Sequence, residues 1–414
     1  MANEIKVWLF RDQVGTLSLS QGRLRFQYSA DWLVRPSPMA LSQSLPLQPG
    51  IYEDHVCRPF FAGLLPEGNL RRLIAHQYHV SSQNDFALLN AIGGECAGAI
   101  TFLPPGQPLP SPDEASIEWL DEKQLLVLLE ELPRRPMLAG RDGMRLSLAG
   151  AQDKLPVVFD GQRVGLPKSG QPSTHILKPQ IRAAQDSVIN EAFCMSLAKA
   201  MTFQVAQSLI FDAGDHRVLL VARYDRATDA DGKLTRLHQE DFCQALGVLP
   251  EMKYQNEGGP DLKACFDLLF RATRPSAPEM LRLLDAVVFN ALIGNHDAHA
   301  KNFSLLYAQV TPTLAPLYDL LSTAVYDNLT PKMAMKLGGR YKFTEVQTRH
   351  WEQFAETAGM SVAQSKRRIL RMSKDLPLVA RKLQSARPFE SHPLVDKICQ
   401  LIEHRAALTQ RRLS

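Results

Sequence analysis

The sequence predicts an α+β protein in which a β-rich front half gives way to a mainly helical back half. Residues 5–28 alternate apolar and polar side chains (Val7, Leu9; Leu17, Leu19; Leu24, Phe26, Tyr28), with breaks at Asp12-Gln13 and Gln21-Gly22, the period-two pattern of short antiparallel strands. A second strand-like region runs through LPVVFD, RVGLPK and HILKP, then VAQSLIFDA and HRVLLVARYD, the last two joined through Gly214-Asp215. Beyond about residue 235 the apolar spacing becomes helical, as in Met280, Leu283, Leu284, Val287, Val288, Ala291 and Leu292.

Between these landmarks the elements come in order. The first strands build a small β-rich unit, followed by helical spacing from Phe60 to Tyr78 and from Asp85 to Ile92, then the glycine-rich GGECAGAITFLPP. The proline-rich LPPGQPLPSPDE, residues 103–114, reads as a linker because proline removes backbone donors and fixes φ. A helix is expected from Ser187 to about Met201, capped by Asp186 or Ser187 and carrying Glu191 in its first turns. No internal repeat is present. The expected segments are 1–108, a β-rich subdomain; 109–144, a linker and connecting helix; 145–234, a sheet; and 235–414, a helical lobe.

Composition narrows the classes further. A chain of 414 residues has room for several cores, and its 45% apolar and 22% charged content is that of a packed globular protein. A net charge of +4 is only weak support for an anionic or nucleic-acid partner. The six cysteines are widely spaced with no C-x-x-C pair, which speaks against a zinc ribbon or a disulfide framework and for a reducing compartment. The start MANEIKVWLF lacks the basic-then-apolar pattern of a secretory signal, and no run of about 18 apolar residues occurs. A cytoplasmic protein with no membrane association is expected.

The chemistry concentrates in GNHDAHAKNFS, residues 294–304. The long apolar helix before it should stop at Gly294-Asn295, where glycine or asparagine takes the left-handed conformation, so Asp297 falls in a loop fixed by a buried helix. Asn302 comes five residues later, and FSLLYA and TLAPLYD read as two strands around a turn at 309–312, the second delivering Asp319. Helix, D-x4-N loop, hairpin and second aspartate is the order in which protein-kinase-like enzymes assemble phosphoryl transfer. The first Asp orients the attacking hydroxyl, and Asn and the second Asp hold Mg²⁺ on the phosphates of ATP through hard oxygen ligands. The fold class sharpens accordingly to a two-lobed protein-kinase-like fold, with an additional small β-rich N-terminal subdomain and a mainly helical C-terminal lobe.

Lys178, in an expected strand of the second sheet, is placed as a kinase-type lysine on the α- and β-phosphates, with Glu191 as its ion partner. Upstream, RLSLAGAQDK carries Ala149, Gly150 and Ala151 just before a strand, small residues whose backbone amides can approach phosphates. Alone, that run also reads as an ordinary tight turn. The Asp297 loop alone also reads as a polar helix end, with His296 and His299 capping carbonyls. A third reading takes His296, Asp297 and His299 as metal ligands of a phosphohydrolase, although His55, His76, His79 and His175 supply no second paired spacing.

Taken together, RLSLAGAQDK, THILKP, VARYDR, HQEDFCQALG, KYQNEGGP, GNHDAHAKNFS and PLYDLLS, in that order, resemble the HipA family of serine/threonine kinase toxins from bacterial toxin-antitoxin operons. SLPLQPG, FAGLLPEGNLRR and GGECAGAI resemble the first domain of that family, so the likeness spans nearly the whole chain.

The resemblance implies roles. Asp297 is the expected catalytic base, Asn302 and Asp319 the magnesium ligands, and Lys178 the phosphate-binding lysine, while His299 and Lys301 match family positions and Lys301 neutralises transition-state charge. Gly150, Ala151 and Gln152, in the loop running on to Lys154, cover the nucleotide, and Ala222 and Tyr224 meet adenine at the hinge. Ser147 matches the serine that family members autophosphorylate, and about two added negative charges beside a phosphate loop would expel it and switch the kinase off. The implied partners are a HipB-like helix-turn-helix antitoxin, operator DNA mainly through that antitoxin, and a protein substrate among the aminoacyl-tRNA synthetases, glutamate-tRNA ligase foremost. The basic run SKRRILRMSK puts Arg367 and Arg371 on one helical face, which reads first as a solvated surface. Within the same fold the alternative is a catalytically silent corepressor that binds an antitoxin–DNA complex.

Overall fold

The computed structural model of the chain describes residues 3–141, 144–309 and 311–414, so Val310, in the turn expected at 309–312, lies outside the described residues. Two compact units emerge: Met1–Pro179 with Phe211–Glu251 and Leu306–Ala308, and Gln180–Ile210 with Met252–Leu305 and Gln309–Ser414.

The first unit opens with the strands that the alternation predicts, β1 (Glu4–Leu9), β2 (Asp12–Ser20) and β3 (Arg23–Tyr28). With β4 (Tyr52–Glu53) and β5 (Ile100–Leu103) they form an antiparallel sheet in the order β4-β3-β2-β1-β5. The short helix α1 (Ala30–Leu33) comes directly after β3. Where one helical stretch was expected from Phe60 to Tyr78 there are two helices, α2 (Asp54–Ala62) and α3 (Gly68–Gln77), interrupted around Pro66; α4 (Asp85–Ile92) stands where its spacing puts it. Phe26, Phe60, Phe61 and Phe102 are fully buried between these layers, with ring centroids 5.3 Å apart for Phe26–Phe61 and 5.9 Å for Phe61–Phe102.

The second sheet has the order β10-β11-β9-β7-β8-β6. Its strands are β6 (Ser116–Trp119), β7 (Leu155–Phe159), β8 (Val164–Lys168), β9 (His175–Pro179), β10 (Ser208–Ala213) and β11 (His216–Ala222). Between β6 and β7 lies α5 (Glu122–Glu131), started by a reciprocal capping box of Asp121 and Gln124. The hairpin β12 (Arg226–Thr228) and β13 (Leu234–Arg236), the strand β14 (His238–Asp241) and the helical turn α7 (Phe242–Ala245) complete this part.

A buried ionic cluster ties residues 95–98 to the chain after β11. Glu95 pairs with Arg223 at 3.2 Å and Arg226 at 2.7 Å, while Asp225 pairs with Arg223 at 2.8 Å and accepts the Gly98 amide at 2.7 Å. Burial opposes both charges, yet the neighbouring guanidiniums outweigh it and hold the Glu95 and Asp225 carboxyls below their ordinary range.

The second unit is built on α6 (Ser187–Ala200), α8 (Leu262–Ala272), α9 (Ser276–Ile293), α10 (Thr348–Thr357), α11 (Val362–Gln384) and α12 (Pro393–Leu413). Asp186 sits at the N-cap of α6 in a left-handed conformation without a side-chain cap bond, and Ser187 Oγ instead accepts the Ile181 amide at 2.8 Å. Helix α9 is buried over most of its second half, and both α11 and α12 pack on it. After α9 come β15 (Ser304–Tyr307) and β16 (Thr313–Leu314), stitched by the Ala315 amide to Ser304 O at 2.8 Å. The second strand is shorter than expected: it ends at Leu314, and Asp319 stands five residues beyond it at φ 52°. Among the described residues no helix is long and apolar enough to cross a membrane.

Candidate active site

The loop after α9 starts from a glycine that nothing else replaces. Gly294 has φ 80°, and a Cβ there would lie 2.7 Å from Leu401 Cδ2 and 2.8 Å from Ala324 Cβ. The chain therefore leaves α9 abruptly, and Asn295 organises the loop beyond it. Its Nδ2 donates to Asn290 Oδ1 at 2.8 Å and to Asp319 O at 3.2 Å, and its Oδ1 accepts the Asp297 amide at 3.1 Å. One buried amide thus ties α9, Asp297 and Asp319 to a common frame. From α6, Asn190 secures the stretch after Asp319: Nδ2 donates to Ser322 O at 2.9 Å, and Oδ1 accepts the Ser322 amide at 2.7 Å.

Asp297 Oδ1 accepts a 2.6 Å hydrogen bond from the Tyr254 hydroxyl, and the Tyr254 ring stands edge-on to His299 at 5.2 Å. The imidazole of His299 is buried, with Lys253, Lys301 and Asp319 within electrostatic reach. Burial first, then the two lysines, drives its pKa well below 6.5, so it stands neutral at pH 7. Its Nδ1 finds no hydrogen-bond partner among the described residues. Lys301 and Asn302 are buried in the 3₁₀ turn Ala300–Asn302, where the Asn302 amide donates to His299 O at 2.9 Å and Tyr318 donates to Lys301 O at 2.8 Å. Asp297, His299, Lys301, Asn302 and Asp319 thus converge within the second unit. An amide oxygen, a carboxylate and a buried imidazole nitrogen without a partner make a donor set that fits magnesium and phosphate oxygens.

His296 takes another course. Its Nε2 lies 2.9 Å from Arg405 Nη2 and its Nδ1 lies 3.0 Å from Thr330 O. Both ring nitrogens are engaged, and a guanidinium faces one of them, so His296 has no lone pair for a metal and a cation beside it would be repelled. This removes the paired-histidine ligand set on which the phosphohydrolase reading rests.

The first unit holds the remaining residues that the sequence singles out. Lys178 is buried in β9, pairing with Leu219 of β11, while the neighbouring Leu177 pairs with Leu155 of β7, where the glycine loop ends. Glu191, its expected ion partner, is buried in α6 of the second unit. Gly150 has φ 107°, and its loop is drawn back on itself: Lys154 Nζ donates to Ala149 O at 2.6 Å and the Glu67 amide to Gly150 O at 3.0 Å. Ala151 is exposed and Gln152 partly so. Ala222 closes β11 opposite His175, and Tyr224 just beyond it donates its hydroxyl to Gln239. Ser147 is 0% exposed rather than a surface hydroxyl: Oγ donates to Leu64 O at 2.8 Å and its amide to Glu95 O at 2.9 Å. A phosphoryl group cannot occupy that berth, so any modification of Ser147 requires the segment to leave it.

Asn295, Tyr254, Asn190 and Arg405 are absent from the sequence-level site. Asn295 was legible as a helix stop but not as a tether, whereas the other three come from remote segments.

Comparison with known proteins matches this architecture. Residues 5–103 match the HipA N-terminal domain, and residues 146–380 match the HipA-like C-terminal domain. The chain is 48% identical over 370 residues to Y4mE of Sinorhizobium fredii, covering 88% of each protein. It is 32% identical over 326 residues to the serine/threonine-protein kinase toxin HipA of Shewanella oneidensis, covering 76% of this chain and 73% of that one. A solved structure of the Shewanella oneidensis HipA, HipB and operator DNA complex superposes with a TM-score of 0.83 at 27% identity, over 99% of this chain and 96% of that chain. With both domains matched in order along one chain, the protein belongs to the HipA family.

Proposed function

We propose that the chain is an ATP- and Mg²⁺-dependent serine/threonine protein kinase acting as the toxin of a HipBA-like toxin-antitoxin module. The observation that carries this reading is the convergence of Asp297, Lys301, Asn302 and Asp319 around a loop tethered by Asn295. Asp297, oriented by Tyr254, receives the proton of a substrate serine as its oxygen bonds to the γ-phosphorus and the bond to ADP breaks. Lys301 neutralises charge on the transferring group. Asn302 and Asp319 hold magnesium, which when bound offsets phosphate charge. Lys178 and the amides of Gly150, Ala151 and Gln152 are the groups we assign to the phosphates, and Ala222 and Tyr224 those we assign to adenine.

The Shewanella oneidensis complex of HipA, HipB and operator DNA supports a HipB-like antitoxin and operator DNA as partners; we take the antitoxin to be a helix-turn-helix protein through which most of the DNA contact is made. The protein substrate we propose is an aminoacyl-tRNA synthetase such as glutamate-tRNA ligase, whose phosphorylation would halt translation and arrest growth or give persistence. Six buried free cysteines support a cytoplasmic setting. Autophosphorylation of Ser147 provides self-limitation, because the modified side chain no longer fits its buried berth.

The test is incubation of purified protein with Mg²⁺ and labelled ATP. Label is expected at Ser147, lost in Ser147→Ala and in Asp297→Gln. A monodisperse wild-type chain that incorporates none overturns the kinase reading, and growth arrest that persists in Asp297→Gln favours the silent corepressor.

A further inference from the structure

We propose that Arg405, in the second half of helix α12, is a positioning residue for the catalytic loop, acting through His296. The inference rests on the kinase reading of Asp297, and the contact itself does not. Arg405 is buried, with its guanidinium carbon 4.6 Å above the centre of the Phe343 ring. Nη1 donates at 2.6 Å to Ala291 O, in the last turn of α9. That carbonyl lacks its usual partner, because the Asn295 amide reaches back to Asn290 O instead. A cation at this helix end also meets the negative end of the helix dipole.

Nη2 lies 2.9 Å from His296 Nε2. Arginine only donates, so Nε2 is the acceptor and the ring proton sits on Nδ1, which donates to Thr330 O at 3.0 Å. The backbone of His296 is equally committed: its amide donates to Thr323 Oγ1 at 2.8 Å, and its carbonyl accepts the Ala334 amide at 2.8 Å. Every polar atom of the residue preceding Asp297 is thereby used, and Arg405 selects the tautomer that completes the set. Asn295, Thr323 and Ala334 fix the loop backbone from α9 and the 319–334 segment, whereas Arg405 ties it to the end of the chain, 109 residues away. Burial, reinforced by the Arg405 charge, lowers the His296 pKa to about 4 and keeps the ring in that neutral form.

Phosphoryl transfer depends on alignment, and a displacement of about 1 Å costs on the order of a hundredfold in rate. Arg405→Met keeps the stem and removes the donors. In full-length protein with labelled ATP and Mg²⁺, kcat for incorporation at Ser147 is expected to fall about tenfold or more, with the KM for ATP and the affinity for ADP within about twofold. A second readout separates positioning from general loosening. Removing the guanidinium takes away the charge that opposes a proton on His296 while burial remains, so the loss of kcat on acidification is expected to begin at a higher pH in the variant than in the wild type. His296→Asn combined with Arg405→Met is expected to be no slower than Arg405→Met alone, and Arg405→Lys to recover part of the rate. An active wild type beside an Arg405→Met protein of equal kcat, or one whose KM rises while its pH profile stays unchanged, overturns the proposal. A wild type without label overturns the kinase reading, and with it the positioning role. Nitrogen chemical shifts of His296 still test the contact in that case, and a proton on Nε2 disproves it.

Discussion

The Tyr254 hydroxyl is aimed at a carboxylate oxygen of Asp297 rather than at a backbone group. A phenol in that position has two opposing effects on a general base: it fixes the side chain, and it makes the carboxylate less basic. In phosphoryl transfer little proton movement is needed before the transition state, so orientation outweighs basicity. Tyr254→Phe is expected to lower kcat about ten- to 150-fold, the range of a charged hydrogen bond of about 1.5–3 kcal/mol, with little change in the KM for ATP. Steady-state kinetics against ATP measures this, and a faster enzyme would mean that basicity controls the step. Asp297 and Asn302 are legible from the chain because the loop is local, five residues from one to the other. Tyr254 lies 43 residues from Asp297; its stretch KYQNEGGP stands out in the sequence, but nothing local shows that its hydroxyl reaches that carboxylate.

Among the elements, α9 does most to locate the site. Its apolar spacing and the Gly294-Asn295 stop are both plain in sequence, and the helix ends at Ile293 as they require. The strands β1, β2 and β3 track the alternation closely, because each buries one face. Strand β6 carries no such signal: all four of its residues are exposed or only partly buried, and pairing with β8 rather than burial makes it a strand. The run to Asp319 misleads for the opposite reason. Its apolar residues look strand-like, yet the chain turns through φ 52° at Asp319, and the tethers from Asn295 and Asn190 that hold it there are long-range. Gly294→Ala should therefore disturb both the fold and the loop. A left-handed alanine costs about 1 kcal/mol, and the contacts with Leu401 and Ala324 add to it, so a loss of about 2–4 kcal/mol is expected in urea unfolding. A variant of wild-type stability and full kcat would show that the loop does not depend on this exit.

At the scale of the whole molecule the two units differ in how they carry buried titratable groups. In the second unit His296 and His350 are shifted below 6.5, His296 to about 4, and His299 lies well below 6.5, in each case by burial first. The unfolded chain takes up these protons near pH 6.5 and the folded unit does not, so stability is complete above pH 6.5 and is lost as the pH falls towards 4. The first unit contains the same effect at His238, lowered to about 4, and more weakly at His175. It also contains Glu240, where burial outweighs the donors Ser42, Gln43 and Tyr307 and raises the carboxyl to about 7. That folded carboxyl binds a proton which the unfolded chain releases near pH 4.5, so its contribution runs the other way, up to about 3 kcal/mol gained on going from pH 7 to 4.5. In the first unit the two trends offset each other, whereas the second carries three lowered histidines. Acidification from pH 7 to 5 should therefore weaken the second unit first. Hydrogen exchange corrected for its intrinsic pH dependence should show protection falling in α9 and α12 while β1–β3 and β9 change less. Glu240→Gln removes the offset, so the first unit should then become acid-sensitive as well. Equal losses in both units of the wild type, or a Glu240→Gln protein whose first unit keeps the wild-type response, would show that the Glu240 carboxyl is ionised across this range, held by its three donors against the cost of burial.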